Sequence, residues 1–424
     1  MSRIVVTTLG TLGDLHPMIA IALELRQRGH DVVFVTHQAY QSRLEALGFE
    51  FHQMRPDFTA MNDPQEMARM MDLKTGQEYM VRQWANPSLH EMYADLLNVA
   101  KGADFIFSGE GVIATPLVAE KLEMRWASSA MVPLSFFSAY DPPILAPFPA
   151  LAKLYKLGPI VNRGIINLAK LASNSWADPI RQLRHQLGLS PIKGNPFIEN
   201  KFSPYLVVAL FSSVLGQPQL DWAANTVVAG FTFYDGIQGG AELTSELRQF
   251  LDAGAPPIVF TLGSAAVLDA GNFYQESIQA AKQLNRRAVL LIGNNSPLEN
   301  LSADILAVNY APYSQIFPRA CAIVHQGGIG TTAQALRAGR PTLIMPYSHD
   351  QPDNAARVKR LGTSRTIPRK QYLAARVAKE LSELLGNPIY AAKAAEIGRI
   401  IQAEDGVGVA CDAMEKHLRE VEIA

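Results

Sequence analysis

Only two cysteines, Cys321 and Cys411, occur in 424 residues. Two thiols cannot build a disulfide framework, so a reducing, cytoplasmic setting is expected. Charge of one sign is lacking too: 38 Lys and Arg against 39 Asp and Glu leave a formal net charge of −1. Without a basic excess, nucleic acid is not an expected partner. No apolar run approaches the roughly 20 residues that cross a bilayer. The opening "MSRIVVTTLG" lacks the basic region, apolar stretch and small-residue cleavage site of a signal peptide. No basic amphipathic helix stands out, so peripheral contact with the inner face of a membrane is left open rather than demanded. What remains is ordinary globular material, 48% hydrophobic and 18% charged, enough for two or three domains.

The first forty residues read as a βαβ unit. "RIVVTTLG" is a β-branched run ending in glycine, "HPMIAIALELRQRGH" has apolar residues at helical spacing, and "DVVFVTH" is a second continuous apolar strand. Strands apolar on both faces, alternating with amphipathic helices, predict a parallel sheet covered on both sides. "ADFIFSG" and "RWASSAMVP" repeat the pattern. From about Tyr140 to Pro196 the rhythm fails, and "YDPPILAPFPALAKLYKLGP" reads as a loop and an apolar helix in an irregular, mobile part of the first domain. Near residue 220 it restarts with "NTVVAGF", a linker-like "YDGIQGGAE", and then "PPIVFTLGSAAV", "RAVLLIGNN", "LAVNYAP", "CAIVHQGG" and "PTLIMPY". The expected architecture is α/β: two Rossmann-like domains with parallel sheets facing across a cleft, 1–220 and 221–404, with a C-terminal helix over 405–424 that packs back on the first domain. Open parallel sheets bind ligands at their strand carboxyl ends.

The densest chemistry lies in "HQGGIGTTAQALRAGRPTLIMPYSHDQPDNA", from His325 to Ala355. A strand ending at His325 feeds a glycine turn and a helix N-terminus, where free amides and the helix dipole favour an anion such as phosphate. Thr331 and Thr332 donate hydroxyls or cap the helix, and His325 can donate to a phosphate oxygen, more strongly if protonated. A turn that merely reverses the chain, with His325 bonded to a carbonyl, is the structural alternative. "GGIG" is neither the G-x-G-x-x-G fingerprint nor a Walker loop, since no lysine follows. Asp350 and Gln351 offer acceptors and donors suited to sugar hydroxyls, or else Asp350 caps a helix. His349 beside them is a residue that lines the cleft.

This stretch resembles the donor signature of nucleotide-sugar glycosyltransferases of the GT-B fold, the UDP-glycosyltransferase superfamily, closest in style to its bacterial, sterol and rhamnosyl members. "GTLGDLHP", "FTLGS" at 260–264 and "YAPY" at 310–313 fall in that family's order, so the resemblance covers essentially the whole chain. It implies that His325 contacts the donor pyrophosphate, that Gly327, Gly328, Gly330, Thr331 and Thr332 line the phosphate turn, and that Asp350 and Gln351 hold sugar hydroxyls. Tyr310 would stack on the nucleotide base, with Ala311 beside it, and Ser264 would add a hydroxyl near the phosphates. Gly328 and Ile329 stand where plant members carry tryptophan and asparagine, so donor preference cannot be copied from that branch. No D-x-D motif is evident, and inversion without a metal is the implied chemistry. The co-substrate is a nucleotide-sugar, UDP-glucose in the first reading and a dTDP-deoxy-sugar such as a rhamnosyl donor in the second; no permanently bound cofactor is expected.

Glycosyl transfer needs a base for the acceptor hydroxyl. In "GTLGDLHP", alignment with the family's plant pattern puts Asp14 at the base position and His16 two residues later. The structural alternatives are a cap for a helix starting near Pro17 and an exposed cap-region residue. Asp14 is a weak base unless burial raises its pKa. Glu110, in "FIFSGEG", is only a loose match for the second carboxylate of plant members. "MVPLSFFSAYDPPILAPF", with Phe136, Phe137 and Tyr140, and "MARMMDLKTGQEYMVRQW" supply aromatics and methionines for a hydrophobic acceptor such as a sterol, terpenoid or lipid, or simply for core. A nucleotide-sugar epimerase and a non-catalytic binder are the competing readings, and a monomer or weak homodimer is expected.

Overall fold

The computed structural model describes residues 1–57, 63–236 and 242–422. It divides into two compact units: Met1–Met61, Thr75–Tyr234 and Asp405–Ala424 form one, Asn62–Lys74 and Asp235–Glu404 the other. The centre of the linker-like "YDGIQGGAE", residues 237–241, lies outside the described residues.

In the first unit seven parallel strands, β1 (Arg3–Thr7), β2 (Asp31–Thr36), β3 (Glu50–Gln53), β4 (Phe105–Ser108), β5 (Trp126–Ala130), β6 (Leu206–Ala209) and β7 (Thr226–Val228), lie in the order β3-β2-β1-β4-β5-β6-β7. β1 is buried because it is apolar on both faces; Ile4 pairs with Val32 on one side and Phe105 on the other. The helix Leu89–Ala100 lays Leu89, Met92, Tyr93 and Leu96 onto Val5, Val35 and Ile106. Truncating a fully buried leucine such as Leu96 to alanine would cost about 2–5 kcal/mol. The C-terminal helix Gly406–Glu422 belongs to this unit: Arg28 on the first helix donates to Asp412 (2.6 Å) and Glu415 (3.1 Å), and His30 bonds Glu415 (3.1 Å).

In the second unit six parallel strands, β8 (Ile258–Thr261), β9 (Ala288–Leu291), β10 (Ile305–Val308), β11 (Ala322–His325), β12 (Thr342–Ile344) and β13 (Ser364–Thr366), run β10-β9-β8-β11-β12-β13. Val259, Val289 and Ile323 pack against Leu247, Leu251, Ile316 and Phe317. Both sheets reverse strand order once, between β1 and β4 and between β8 and β11, and such a reversal opens a crevice at the strand carboxyl ends.

Two expectations change. The restart at "NTVVAGF" is not the second sheet: β7 pairs with β6, so the first unit runs to Tyr234 rather than residue 220. "MARMM" does not stand with the first unit either. Met67, Met70 and Met71 are buried in the second, where the Ser348 hydroxyl reaches the Met71 sulfur at 3.9 Å. The irregular middle is largely helical, with Pro149–Leu157 a 3-10 segment and Pro159–Ala172 and Asp178–Gln186 α-helices.

Candidate active site

In the second unit the register of the sheet assembles the site. His325 ends β11 opposite Ile344, the last residue of β12, and the Met345 amide donates to the His325 carbonyl at 2.9 Å. The loops that follow, 326–328 and 345–350, therefore leave the sheet side by side. Gly327 has φ +91°, and a Cβ there would lie 2.9 Å from Ile344 Cγ2 and 3.2 Å from the Gln351 carbonyl. Only glycine fits a left-handed turn pressed that closely against its neighbours. Asn354, fully buried, ties the pieces together: its Nδ2 donates to the Gly327 carbonyl (2.9 Å) and to Asp350 Oδ2 (2.6 Å). The β8 loop closes in from the other side, where a Cβ on Gly263 would meet Gln326 Nε2 at 2.3 Å and Thr331 Oγ1 at 3.2 Å.

His325 is fully buried, and burial pushes its imidazole down to about 3. The ring is therefore neutral at physiological pH. Its Nδ1 accepts from the Gly327 amide at 3.0 Å, so the proton sits on Nε2, which has no partner among the described residues. A protonated histidine is the stronger of the two expected donors, and burial disfavours that form here. The buried Thr332 hydroxyl and the amide oxygens of Gln326 and Asn354 are also unpartnered among the described residues. Each orphaned buried group costs on the order of 1–3 kcal/mol unless a ligand satisfies it. The helix Ile329–Arg337 starts at Gly328 with no side-chain cap, the kind of helix start whose first amides can accept an anion. Gly330 is exposed within its first turn, and Thr331 is buried beside the Tyr313 hydroxyl, whose pKa burial raises.

The remaining donor candidates separate by environment. Ser264 is exposed in the short helix Gly263–Ala266 that follows β8, and Tyr310 is 62% exposed just beyond the carboxyl end of β10. Ala311 is buried in the core with Ile316 and Phe317, so only its backbone can face a ligand. Asp350 occupies the N-cap position of Gln351–Arg360 without capping it, because Asn354 holds its carboxylate. Gln351 Oε1 accepts from the Tyr347 amide (2.9 Å), which commits that oxygen to structure. His349, at φ +55°, bonds the Met70 backbone and is held below its usual pKa by burial, a structural role. Sequence reading missed Gln326 and Asn354, although both stand inside the glycine and aspartate motifs it quoted.

In the first unit Asp14 sits just beyond the carboxyl end of β1, at the strand-order reversal. The helix begins at Leu12, not near Pro17, because Thr11 caps it: the Thr11 hydroxyl accepts from the Gly13 amide (3.2 Å) and Asp14 Oδ2 accepts from the Thr11 amide (2.8 Å). Asp14 thus caps from the N3 position, and the bonds recorded for it fall on Oδ2. Burial raises its carboxyl to about 6 against the opposing pull of the Thr11 bonds, and the charge of Glu110 pushes the same way as burial. Glu110 itself does not touch Asp14. It accepts from the Met131 amide (3.2 Å), the Ser135 hydroxyl (2.5 Å) and Lys201 (2.8 Å). His16 Nε2 accepts from Arg43 (3.0 Å) and its ring meets Tyr234 edge-on at 5.3 Å, so its lone pair is engaged.

Sequence reading also missed the clamp behind Asp14. His37, at the end of β2, is buried and pushed down to about 4, hence neutral. Its Nδ1 donates to the Pro56 carbonyl (3.0 Å) and its Nε2 accepts from the Gly10 amide (3.1 Å). The Tyr40 hydroxyl donates to the Gly10 carbonyl at 2.9 Å. The two peptide groups that meet at Gly10 are therefore both fixed, one through its N–H and the other through its C=O, and a Cβ on Gly10 would strike Asp14 Oδ2. The expected acceptor aromatics are partly core: Phe136 stacks on Trp222 at 3.8 Å. A cavity of about 1010 Å³ borders Phe136, Phe137, Trp126 and Tyr205. It reaches the amino ends of β5 and β6, the opposite edge of the sheet from Asp14, and is not assigned to the acceptor.

Residues 4–117 match the model of the glycosyltransferase family 28 N-terminal domain, and residues 276–405 match that of the erythromycin biosynthesis protein CIII-like C-terminal domain. The chain is 31% identical to O-mycaminosyltylonolide 6-deoxyallosyltransferase of Streptomyces fradiae, over 98% of this chain and 97% of that protein. It is 25% identical to a sterol 3-beta-glucosyltransferase of Arabidopsis thaliana, over 98% of this chain and 68% of the relative. The structure of the glycosyltransferase VinC in complex with DTDP superposes with a TM-score of 0.69 at 19% identity, covering 98% and 100% of the two chains. Two parallel-sheet units, the two family models and this kinship over nearly the whole chain make the chain a member of the GT-B glycosyltransferases.

Proposed function

We propose that this enzyme transfers a hexose, with inversion and without a metal, from a nucleoside-diphosphate sugar to a hydroxyl of a hydrophobic acceptor. The carrying observation is the unpartnered Nε2–H of neutral His325 beside an uncapped helix N-terminus. Both supply fixed positive dipoles for a diphosphate, and both stabilise the negative charge that develops as it leaves. The Thr332 hydroxyl adds a donor, the amide oxygens of Gln326 and Asn354 accept from hydroxyls, and exposed Tyr310 offers a face to the base. Asp350 and Gln351 Nε2 serve the sugar.

In the first unit Asp14 is the base. Its carboxylate accepts the acceptor's proton through Oδ1 as the oxygen attacks the anomeric carbon, while Oδ2 stays bonded to Thr11. A carboxyl held at about 6 is mostly ionised at neutral pH yet basic enough to accept a proton. His16, engaged by Arg43, is the weaker alternative.

The donor reading favoured here is a dTDP-linked deoxyhexose, because the full-length relative is a 6-deoxyallosyltransferase and a structural neighbour carries DTDP. UDP-glucose is the second reading, favoured by the sterol 3-beta-glucosyltransferases. Mass spectrometry of the purified protein with dTDP- and UDP-sugars against a pool of hydrophobic alcohols tests both. A glycosylated alcohol is the expected product; an isomerised sugar without acceptor would mean an epimerase.

A further inference from the structure

We infer that the outward face of the 149–172 segment is a docking surface for an anionic lipid bilayer. The helix Pro159–Ala172 buries Asn162, Ile165 and Ile166 on one side. Its opposite side is apolar as well. Ile160, Gly164, Leu168 and Leu171 follow the spacing i, i+4, i+8, i+11, which places them within a stripe about 80° wide. Ile160, Leu168 and Leu171 are 89%, 67% and 74% exposed. Phe148 and Leu157, in and beside the adjoining 3-10 segment, are similarly bare. A surface helix normally turns a polar face outward, and a run of exposed large apolar side chains marks a contact site.

The segment is not a loose flap. Asn162 Nδ2 donates to the Ala139 carbonyl (2.9 Å), and the Tyr155 hydroxyl donates to the Pro143 carbonyl (2.6 Å). These anchors, the first of them buried, tie the segment to the body of its unit.

Charge selects the occupant. From Pro142 to Ala177 the chain has no Asp or Glu, but it has Lys153, Lys156, Arg163 and Lys170. Lys170 is neutralised by Glu199 at 2.6 Å. Lys153, Lys156 and Arg163 are exposed and, among the described residues, form no ion pair. Three exposed cations in the same acid-free segment as the apolar stripe match acidic headgroups over acyl chains. A two-fold copy of the chain fits worse, since a symmetric contact would set these cations against their own counterparts with no acid in the segment to offset them. No described helix is long and apolar enough to cross a membrane, so the contact is peripheral. The inference does not depend on which acceptor the enzyme uses.

The test is flotation of the full-length protein with phosphatidylcholine vesicles, with and without phosphatidylglycerol, in the absence of donor and acceptor. Binding to the anionic vesicles, released by salt, is expected. Lys153→Ala with Lys156→Ala should lower the partition about thirtyfold, two charges at about 1 kcal/mol each. Ile160→Ser with Leu171→Ser should abolish stable binding while melting temperature and nucleotide-sugar affinity stay unchanged. Wild-type protein that ignores anionic vesicles, or variants that float like wild type, would overturn the inference. So would salt-independent binding to pure phosphatidylcholine. Sedimentation showing a dimer that only the serine variant dissociates would assign the face to a second copy instead.

Discussion

Replacing Asp14 with asparagine should make the enzyme inactive and more stable at once. Asparagine keeps an oxygen for the Thr11 amide at the position of Oδ2, so the capping box survives. What it removes is a charge held where burial disfavours it. Asp14 is raised from 3.8 to about 6 in the folded chain. A raised carboxyl binds its proton more tightly in the native state, so its favourable contribution is complete below about 4 and is lost as pH rises through 6. At pH 8 the ionised group therefore costs stability, at most about 3 kcal/mol for a shift of roughly two units, and less where water screens the half-buried side chain. Asp14→Asn should recover that amount at pH 8 and nothing at pH 4. For a unit of this size, each kcal/mol moves the transition by about 2–4 °C.

The kinetic consequence runs the other way. Loss of a general base typically slows turnover by about 10²–10⁴-fold. The wild-type rate should fall on acidification with an inflection near 6, because only the ionised form accepts a proton. Thermal melts of both proteins between pH 4 and pH 8, with turnover of one donor–acceptor pair, decide the matter. Turnover within a few-fold of wild type removes Asp14 from the chemistry. A melting difference that stays constant across the pH range shows that its carboxylate is not desolvated.

His325→Ala should weaken binding of an intact nucleotide-sugar about 10–100-fold by calorimetry, the loss of one donor to a charged phosphate; unchanged affinity refutes the contact. Gly327→Ala combines a left-handed φ of +91° with a Cβ 2.9 Å from Ile344, so it should cost about 1–3 kcal/mol of stability and most donor affinity; a wild-type melt and affinity would refute the tight turn. His37→Ala frees the Gly10 amide, so kcat should drop and the acid inflection near 6 should move toward the ordinary carboxylate range; a lowered rate with an unmoved inflection would mean a general structural loss.

How much of this was legible depended on how local each feature is. The donor site was readable because β11 and β12 are adjacent, parallel and joined by one helix, so a single stretch from His325 to Ala355 carries both loops. Even there the protonation of His325 was not readable, since burial and the Gly327 amide set it. The clamp on Asp14 was invisible because His37 and Gly10 meet across 27 residues through the β1–β2 pairing, and an apolar strand ending in histidine carries no signal of its own. β3, "EFHQ", and β13, "SRT", were missed because short polar edge strands lack apolar periodicity. The methionine-rich stretch was placed in the wrong unit because sequence order gives no hint that Asn62–Lys74 packs with the second sheet.

The two reversal points divide the labour by how each makes its charge. On the proposed assignment the second unit would meet a diphosphate with dipoles: helix amides and a neutral imidazole locked by a backbone amide. Burial holds the His325 imidazole neutral, and the diester phosphates of an intact nucleotide-sugar stay ionised, so donor affinity should be flat between pH 5 and pH 8. The first unit instead holds one carboxyl close to its titration point by burying it against its own cap. A dipole field needs no proton to bind and so suits a ligand whose charge is constant. A base must change its protonation state in every turnover and so must sit near 6. With Asp14 as the proposed base, the acid limb of turnover is expected to be its own, and an acid limb that appeared in donor binding rather than in turnover would reverse the assignment of roles.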